Sequence, residues 1–228
     1  MKKILIATRN KDKFKIISKL LSTDFFKDYE FYSLSNIEDN IIDKKEQGDV
    51  INRSFEKAMN IYDNISSNCY DFIIGIDDGI KMKNKIIENV KDYIKPIIDD
   101  KYLSQNEIVF IVRAYTFISK NGKYKSIITE IPFKYKKLEK EFNIEDNSYP
   151  LSHVLTPLDS FKTVTELSSE ESNNYYLNYS KEAFDEVERF FYDNKWHWCL
   201  QHINESLNSK RHFENRTANF KQCNIINE

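Results

Sequence analysis

The chain has 228 residues, 40% hydrophobic and 31% charged, the balance of a globular protein and not of a disordered one. Its 34 basic and 36 acidic residues leave a formal charge of −2, so no global excess directs it to a nucleic-acid backbone or an anionic membrane surface. That length suits one α/β domain, with or without an appendage. Three cysteines, Cys69, Cys199 and Cys223, form no CxxC pair and suit a reducing compartment. The opening apolar run, Ile4-Leu5-Ile6-Ala7, is too short for a signal peptide or a membrane span. A cytoplasmic protein is expected.

Residues 3–7 read as a short buried strand. From residue 12 to 21 the apolar positions Phe14, Ile17, Leu20 and Leu21 recur at helical spacing, with Asn10 as the cap. Thr8-Arg9-Asn10 therefore lies in a strand-to-helix loop. A second strand is expected at 29–34, then a polar stretch over 38–48 and a helix over 50–65. Phe72-Ile73-Ile74-Gly75-Ile76 is a buried strand expected to end in Asp77-Asp78-Gly79. A strand over 107–118 turns at Asn121-Gly122 into 124–131, a hairpin signal. One helix starts in 168–172, and an amphipathic helix runs over 181–191. Strands alternating with helices predict an α/β fold. Composition shifts after Asp193, so residues 1–193 are read as the domain and 194–228 as an appendage.

Two constellations carry chemistry. The loop Thr8-Arg9-Asn10-Lys11-Asp12-Lys13 ends at a helix N-terminus, where exposed N–H groups and the helix dipole favour phosphate. It is equally a capped helix with solvated lysines. Asp77 and Asp78 offer hard oxygen ligands for Mg²⁺, or a carboxylate to activate water. They also suit an ordinary polar turn.

Taken in order, the motifs resemble the inosine triphosphate pyrophosphatase (XTP/dITP diphosphatase) family. Ile6-Ala7-Thr8-Arg9-Asn10-Lys11-Asp12-Lys13 is similar to its "ATGNxxK", and Glu46-Gln47-Gly48 with Lys57-Ala58 to its "ExG…KA". Ile76-Asp77-Asp78-Gly79 resembles "ADDSG", and Arg113-Ala114-Tyr115-Thr116-Phe117 resembles "RAxF". Phe161-Lys162-Thr163-Val164-Thr165-Glu166-Leu167-Ser168-Ser169-Glu170-Glu171 is similar to "KTFAELSPEE". These five landmarks span about residues 3–184. The resemblance implies a long, twisted mixed sheet flanked by helices, with a nucleotide cleft between two lobes, and a homodimer. It implies that Thr8, Asn10, Lys13 and Lys57 hold the triphosphate and that Glu46 with Asp77 or Asp78 holds Mg²⁺. The aspartate not bound to metal would orient the water that attacks the α-phosphorus.

The departures fall where the family reads its base. Ser172 stands at the family's Lys, no His-Arg follows in 175–183, and "GxxYDP" is reduced to Ser148-Tyr149-Pro150. Asn52-Arg53 stands where the family has Glu-Asn, and Arg9 where it has Gly. Tyr149, Tyr176, Tyr179 and Lys181 are the candidates for a rebuilt base site. Two functions follow: a Mg²⁺-dependent pyrophosphatase with altered base choice, or a nucleotide-binding sensor or scaffold without turnover. Nucleic-acid binding through Lys134-Tyr135-Lys136-Lys137 is the poorer reading, because Glu139 and Glu141 follow.

Overall fold

The computed structural model describes residues 2–22, 26–37, 47–65, 69–83, 85–88, 90–99, 101–138 and 150–214. In chain order its strands are β1 (Lys2–Ile6), β2 (Tyr29–Ser33), β3 (Phe72–Met82), β4 (Lys85–Ile87), β5 (Ile108–Ser119), β6 (Tyr124–Tyr135) and β7 (Leu155–Thr156). The helices are α1 (Lys11–Leu21), α2 (Val50–Asn64), α3 (Val90–Ile98) and α4 (Ser169–Glu214). The sheet has the order β2-β1-β3-β5-β6-β7, with β4 folded back on β3. Pairing is parallel for β2-β1-β3 and antiparallel elsewhere. This is the mixed α/β sheet that the resemblance implies.

Local sequence explains these elements. In β1, Ile4, Leu5 and Ile6 are all fully buried, as expected for a parallel strand covered on both faces. Asn10 caps α1 by accepting from Lys13 N at 2.9 Å, and Asp49 caps α2 by accepting from Asn52 N at 2.8 Å. The hairpin between β5 and β6 turns at Gly122, whose φ of +77° is the left-handed region that glycine enters freely. Along β3 the side chains alternate between faces. Ile73 packs in a cluster with Ala58 and Ile61 of α2, and burying Ile61 contributes roughly 1.5–3 kcal/mol. The opposite face of the sheet carries Tyr115, whose ring meets Phe184 of α4 edge-on.

Gly75 fixes how close α2 comes. A Cβ there would lie 1.9 Å from the Ser54 carbonyl and 2.7 Å from Ala58 N, so only glycine permits this backbone-to-backbone approach. Ser54 Oγ then meets Thr116 Oγ1 at 2.8 Å, and Thr116 meets Ser126 at 2.8 Å, tying α2 to β5 and β6 by a short polar ladder.

Two expectations need correction, and two elements lie beyond them. The strand does not end at Asp77-Asp78-Gly79: β3 runs on to Met82, because Asp77, Asp78 and Gly79 pair with Ala114, Arg113 and Val112 of β5. The two helices expected over 168–172 and 181–191 are one, since no Gly or Pro interrupts residues 169–214. A reciprocal cap opens it: Ser168 N donates to the Glu171 carboxylate and Glu171 N donates to Ser168 Oγ. Finally, β4 and α3 were not anticipated. The apolar spacing Val90, Ile94, Ile97, Ile98 is helical, but Pro96 within it obscures the signal.

The chain divides into two compact units, Met1–Val187 and Glu188–Glu228. Among the described residues no helix is long and apolar enough to cross a membrane.

Candidate active site

β1 stops pairing with β3 at Ile6 and Ile74, so the loop after β1 opens beside the aspartates three and four residues further along β3. Ala7 N still donates to the Ile74 carbonyl at 2.8 Å, and Leu34 N donates to the Thr8 carbonyl at 3.1 Å, pinning the loop. Within it, Thr8 Oγ1 accepts from Asn10 N at 3.2 Å. Lys13, one turn into α1, reaches back to Asp78 Oδ2 at 3.0 Å.

Successive strand residues point to opposite faces, and the two aspartates obey this. Asp77 faces α2. Its Oδ2 accepts from Arg53 Nε at 2.6 Å and lies 2.6 Å from Arg53 Nη2, while Lys57 Nζ engages Oδ1. Arg53 and Lys57 share one helical face because they are four residues apart. Asp78 faces the other way. Its Oδ1 accepts from Arg113 Nε at 2.5 Å, and its Oδ2 is shared by Lys13 and, at 3.4 Å, Arg113 Nη2. Arg113 sits directly across the ladder from Asp78 and is 3% exposed.

The electrostatics differ in a useful way. Burial alone would raise the Asp78 carboxyl, but the Arg113 and Lys13 charges outweigh it and hold the group well below the usual carboxylate range. Asp78 is therefore an anion across the physiological range. Burial lowers the Lys13 ammonium, and the Asp78 charge only partly restores it. Lys13 thus gains from any further anion. Tyr115 is pushed up to about 12 by burial and stays neutral beside this group.

The structure brings Lys13, Lys57, Asp77 and Asp78 together and places Thr8 and Asn10 in the adjoining loop. Glu46 and Tyr149 lie outside the described residues. Tyr176 is 3% exposed, and the Arg113 guanidinium stands over its ring at 5.7 Å, so it serves as a platform for that cation. Tyr179 and Lys181 are exposed on α4, with the Tyr179 ring 5.1 Å from that of Tyr175. Two site residues escaped the sequence reading: Arg53 and Arg113. Arg113 lay within a quoted motif, and antiparallel register is the signal that would have put it opposite Asp78. Arg53 stood out only as a departure.

Among the described residues, which leave out Glu46, the donor set does not suit a resident divalent ion. All four oxygens of Asp77 and Asp78 are engaged by cationic side chains, and the pleat sends the two carboxylates to opposite faces. Among the described residues no group of three or more His, Cys, Asp or Glu side chains could hold a metal. The arrangement is instead suited to anions: four cations drawn from α1, α2 and β5 surround two carboxylates.

No protein-family model matches the chain, and no curated protein does. Solved structures do. A HAM1 protein from Coxiella burnetii matches with a TM-score of 0.58 and 13% identity, over 85% of this chain and 100% of that one. The Ham1 protein of Staphylococcus aureus gives 0.54 and 14%, over 85% and 100%. A nucleoside-triphosphatase/dITP/XTP pyrophosphatase from Mycobacterium abscessus gives 0.52 and 14%, over 79% and 96%. The chain is thus an α/β protein with the curled, helix-flanked mixed sheet of these structures. By fold it stands with the Ham1 and dITP/XTP pyrophosphatase structures, at low sequence identity.

Proposed function

We propose that this protein hydrolyses a (deoxy)nucleoside triphosphate to the monophosphate and pyrophosphate, with base choice altered from ITP or XTP. The observation that carries this is the convergence of Lys13, Arg53, Lys57 and Arg113 on the adjacent Asp77 and Asp78, beside the loop that holds Thr8 and Asn10. The fold shared with a dITP/XTP pyrophosphatase supports the same chemistry. Every residue in the proposal lies within 1–187.

In this reading the two lysines act as place-holders. A lysine carries a mobile point charge on a flexible stem, so Lys13 and Lys57 are able to turn from carboxylate to phosphate oxygens. Binding restores the Lys13 ammonium that burial disfavours. It also releases carboxylate oxygens, and Asp78, the more open of the pair, accepts a hydrogen bond from water and aims it at the α-phosphorus. The water oxygen bonds to phosphorus, the bond to the bridging oxygen of the β-phosphate breaks, and the protons pass to solvent. A carboxylate of low basicity suits this role, because phosphoryl chemistry depends on positioning and charge neutralisation more than on proton abstraction. Mg²⁺ enters as part of the Mg-nucleotide substrate, where it shields phosphate charge. Loss of the family's Lys and His-Arg positions leaves different groups around the base, and a changed set of polar partners changes which base is accepted.

A second reading, nucleotide binding without turnover, is favoured by one observation. Both carboxylates are fully engaged by cations, and Asp78 is held far from the basicity of a proton acceptor. Hydrolysis in ¹⁸O-labelled water separates the two. The enzyme reading predicts label in the nucleoside monophosphate and none in pyrophosphate. Label in released phosphate would place the cut elsewhere, and nucleotide-dependent thermal stabilisation without product would favour the sensor.

A further inference from the structure

Resting on the triphosphate reading above, we propose that Arg53 is a permanent cation at Asp77 that takes the place of a protein-bound divalent ion, so that polyphosphate binds this protein without one. Arg53 is held from several sides. Its Nε and Nη2 both meet Asp77 Oδ2 at 2.6 Å, Nη2 donates to the Glu88 carbonyl at 2.7 Å, and Nη1 donates to the Gly48 carbonyl at 3.4 Å. The Glu88 carboxylate lies 3.3 Å from Nη2, an ion pair and not an aligned hydrogen bond. The partners come from β3, from the turn that leads into α2 and from the residue after β4. This guanidinium therefore links three segments, unlike a surface arginine that samples solvent.

Three physical points follow. A guanidinium is charged at every accessible pH and fixes its donors in one plane, so the positive charge beside Asp77 is permanent. Its side chain is 13% exposed, and a metal displacing it from Asp77 would leave that charge with the more exposed Glu88 carboxylate alone, an unfavourable exchange. A small divalent cation also requires several open oxygen ligands and sheds water reluctantly, whereas Arg53 keeps one Asp77 oxygen and only the other is freed when Lys57 turns to phosphate. Lys57 is the mobile member of the pair and Arg53 the fixed one. The side chain that departs from the family pattern thus fills the electrostatic place of a metal and spares the protein the need to bind one.

The test is calorimetric titration of the full chain with inorganic tripolyphosphate, in EDTA and again in Mg²⁺. The proposal expects the affinity in EDTA to stay within about threefold of that in Mg²⁺. It expects Arg53→Asn to lose about tenfold or more in EDTA and to recover on adding Mg²⁺ to the exposed Asp77, while Arg53→Lys keeps most of the metal-independent affinity. Wild-type binding that requires Mg²⁺ overturns the inference and leaves the triphosphate reading standing. Unchanged binding of folded Arg53→Asn in EDTA overturns the role of Arg53. Absence of binding in either medium overturns the triphosphate reading and this inference with it. If Arg53→Asn fails to fold, the wild-type comparison and Arg53→Lys decide the matter.

Discussion

Asp77 and Asp78 are neighbours in sequence and are treated by the fold as two separate regions. On the α2 side, Asp77 meets a fixed arginine and a lysine carried on one helix, held close by the Gly75 contact. On the other side, Asp78 meets the Lys13 ammonium, weakened by burial, and an Arg113 guanidinium that rests on the ring of buried Tyr176. The first region is clamped by backbone carbonyls; the second is balanced between desolvation and charge. A dipeptide that reads as one acidic pair is, on a pleated strand, two ion clusters with different tasks: one supplies constant charge, the other responds to an arriving anion.

Breaking the Asp78 side should have the largest effect. Asp78→Asn removes the group that aims water and should lower pyrophosphate release by about 10²–10⁴ in a steady-state assay. It also leaves Arg113 without its carboxylate, for a loss of about 3–5 kcal/mol in denaturant unfolding. A fully active Asp78→Asn protein would sink the assignment. Gly75→Ala breaks the Asp77 side from behind. The added methyl collides with the Ser54 carbonyl, so a loss of about 3 kcal/mol or more is expected, with weakened tripolyphosphate binding as α2 withdraws. Lys57→Met sharpens the comparison more gently. The loss of one charged donor to phosphate should weaken tripolyphosphate binding by about tenfold and leave stability little changed.

The smallest effect is a pH signature. Asp78 is lowered from its ordinary 3.8 in the folded protein, so the unfolded chain binds more protons in acid. The stability it contributes is fully present above that value and is lost as pH falls below it. Lys13 is lowered from its ordinary 10.5, so its burial costs stability at neutral pH, and stability rises as pH climbs towards 10.5. Denaturant midpoints across pH should show the acid limb flatten in Asp78→Asn and the alkaline rise vanish in Lys13→Met.

Much of the frame was legible in the sequence. Local signals set β1, α1 with its Asn10 cap, α2 and the Asn121-Gly122 hairpin, because propensity and periodicity act over a few residues. What escaped depends on distant pairing. β3 runs through its aspartates because Arg113 waits 35 positions later in the antiparallel register, and no local pattern reports that. The run of α4 past residue 181 has the opposite cause: the helix start at 168–172 and the amphipathic pattern over 181–191 stand apart in the sequence although no Gly or Pro breaks the chain between them. At the site, the family resemblance points to Lys13, Lys57, Asp77 and Asp78, whereas the assignment of Asp77 and Asp78 to opposite faces follows from the pleat. Arg53 was visible only as a mismatch, and its meaning came from the carbonyls around it.

The most direct measurement is turnover. The purified full chain with Mg²⁺ is offered ITP, XTP, dITP and the standard ribo- and deoxyribonucleoside triphosphates, with monophosphate and pyrophosphate both quantified. The account predicts equimolar monophosphate and pyrophosphate from at least one of them, lost in Asp78→Asn. No product from any nucleotide, in a protein that still binds tripolyphosphate, would contradict it and leave a polyphosphate-binding protein that does no hydrolysis.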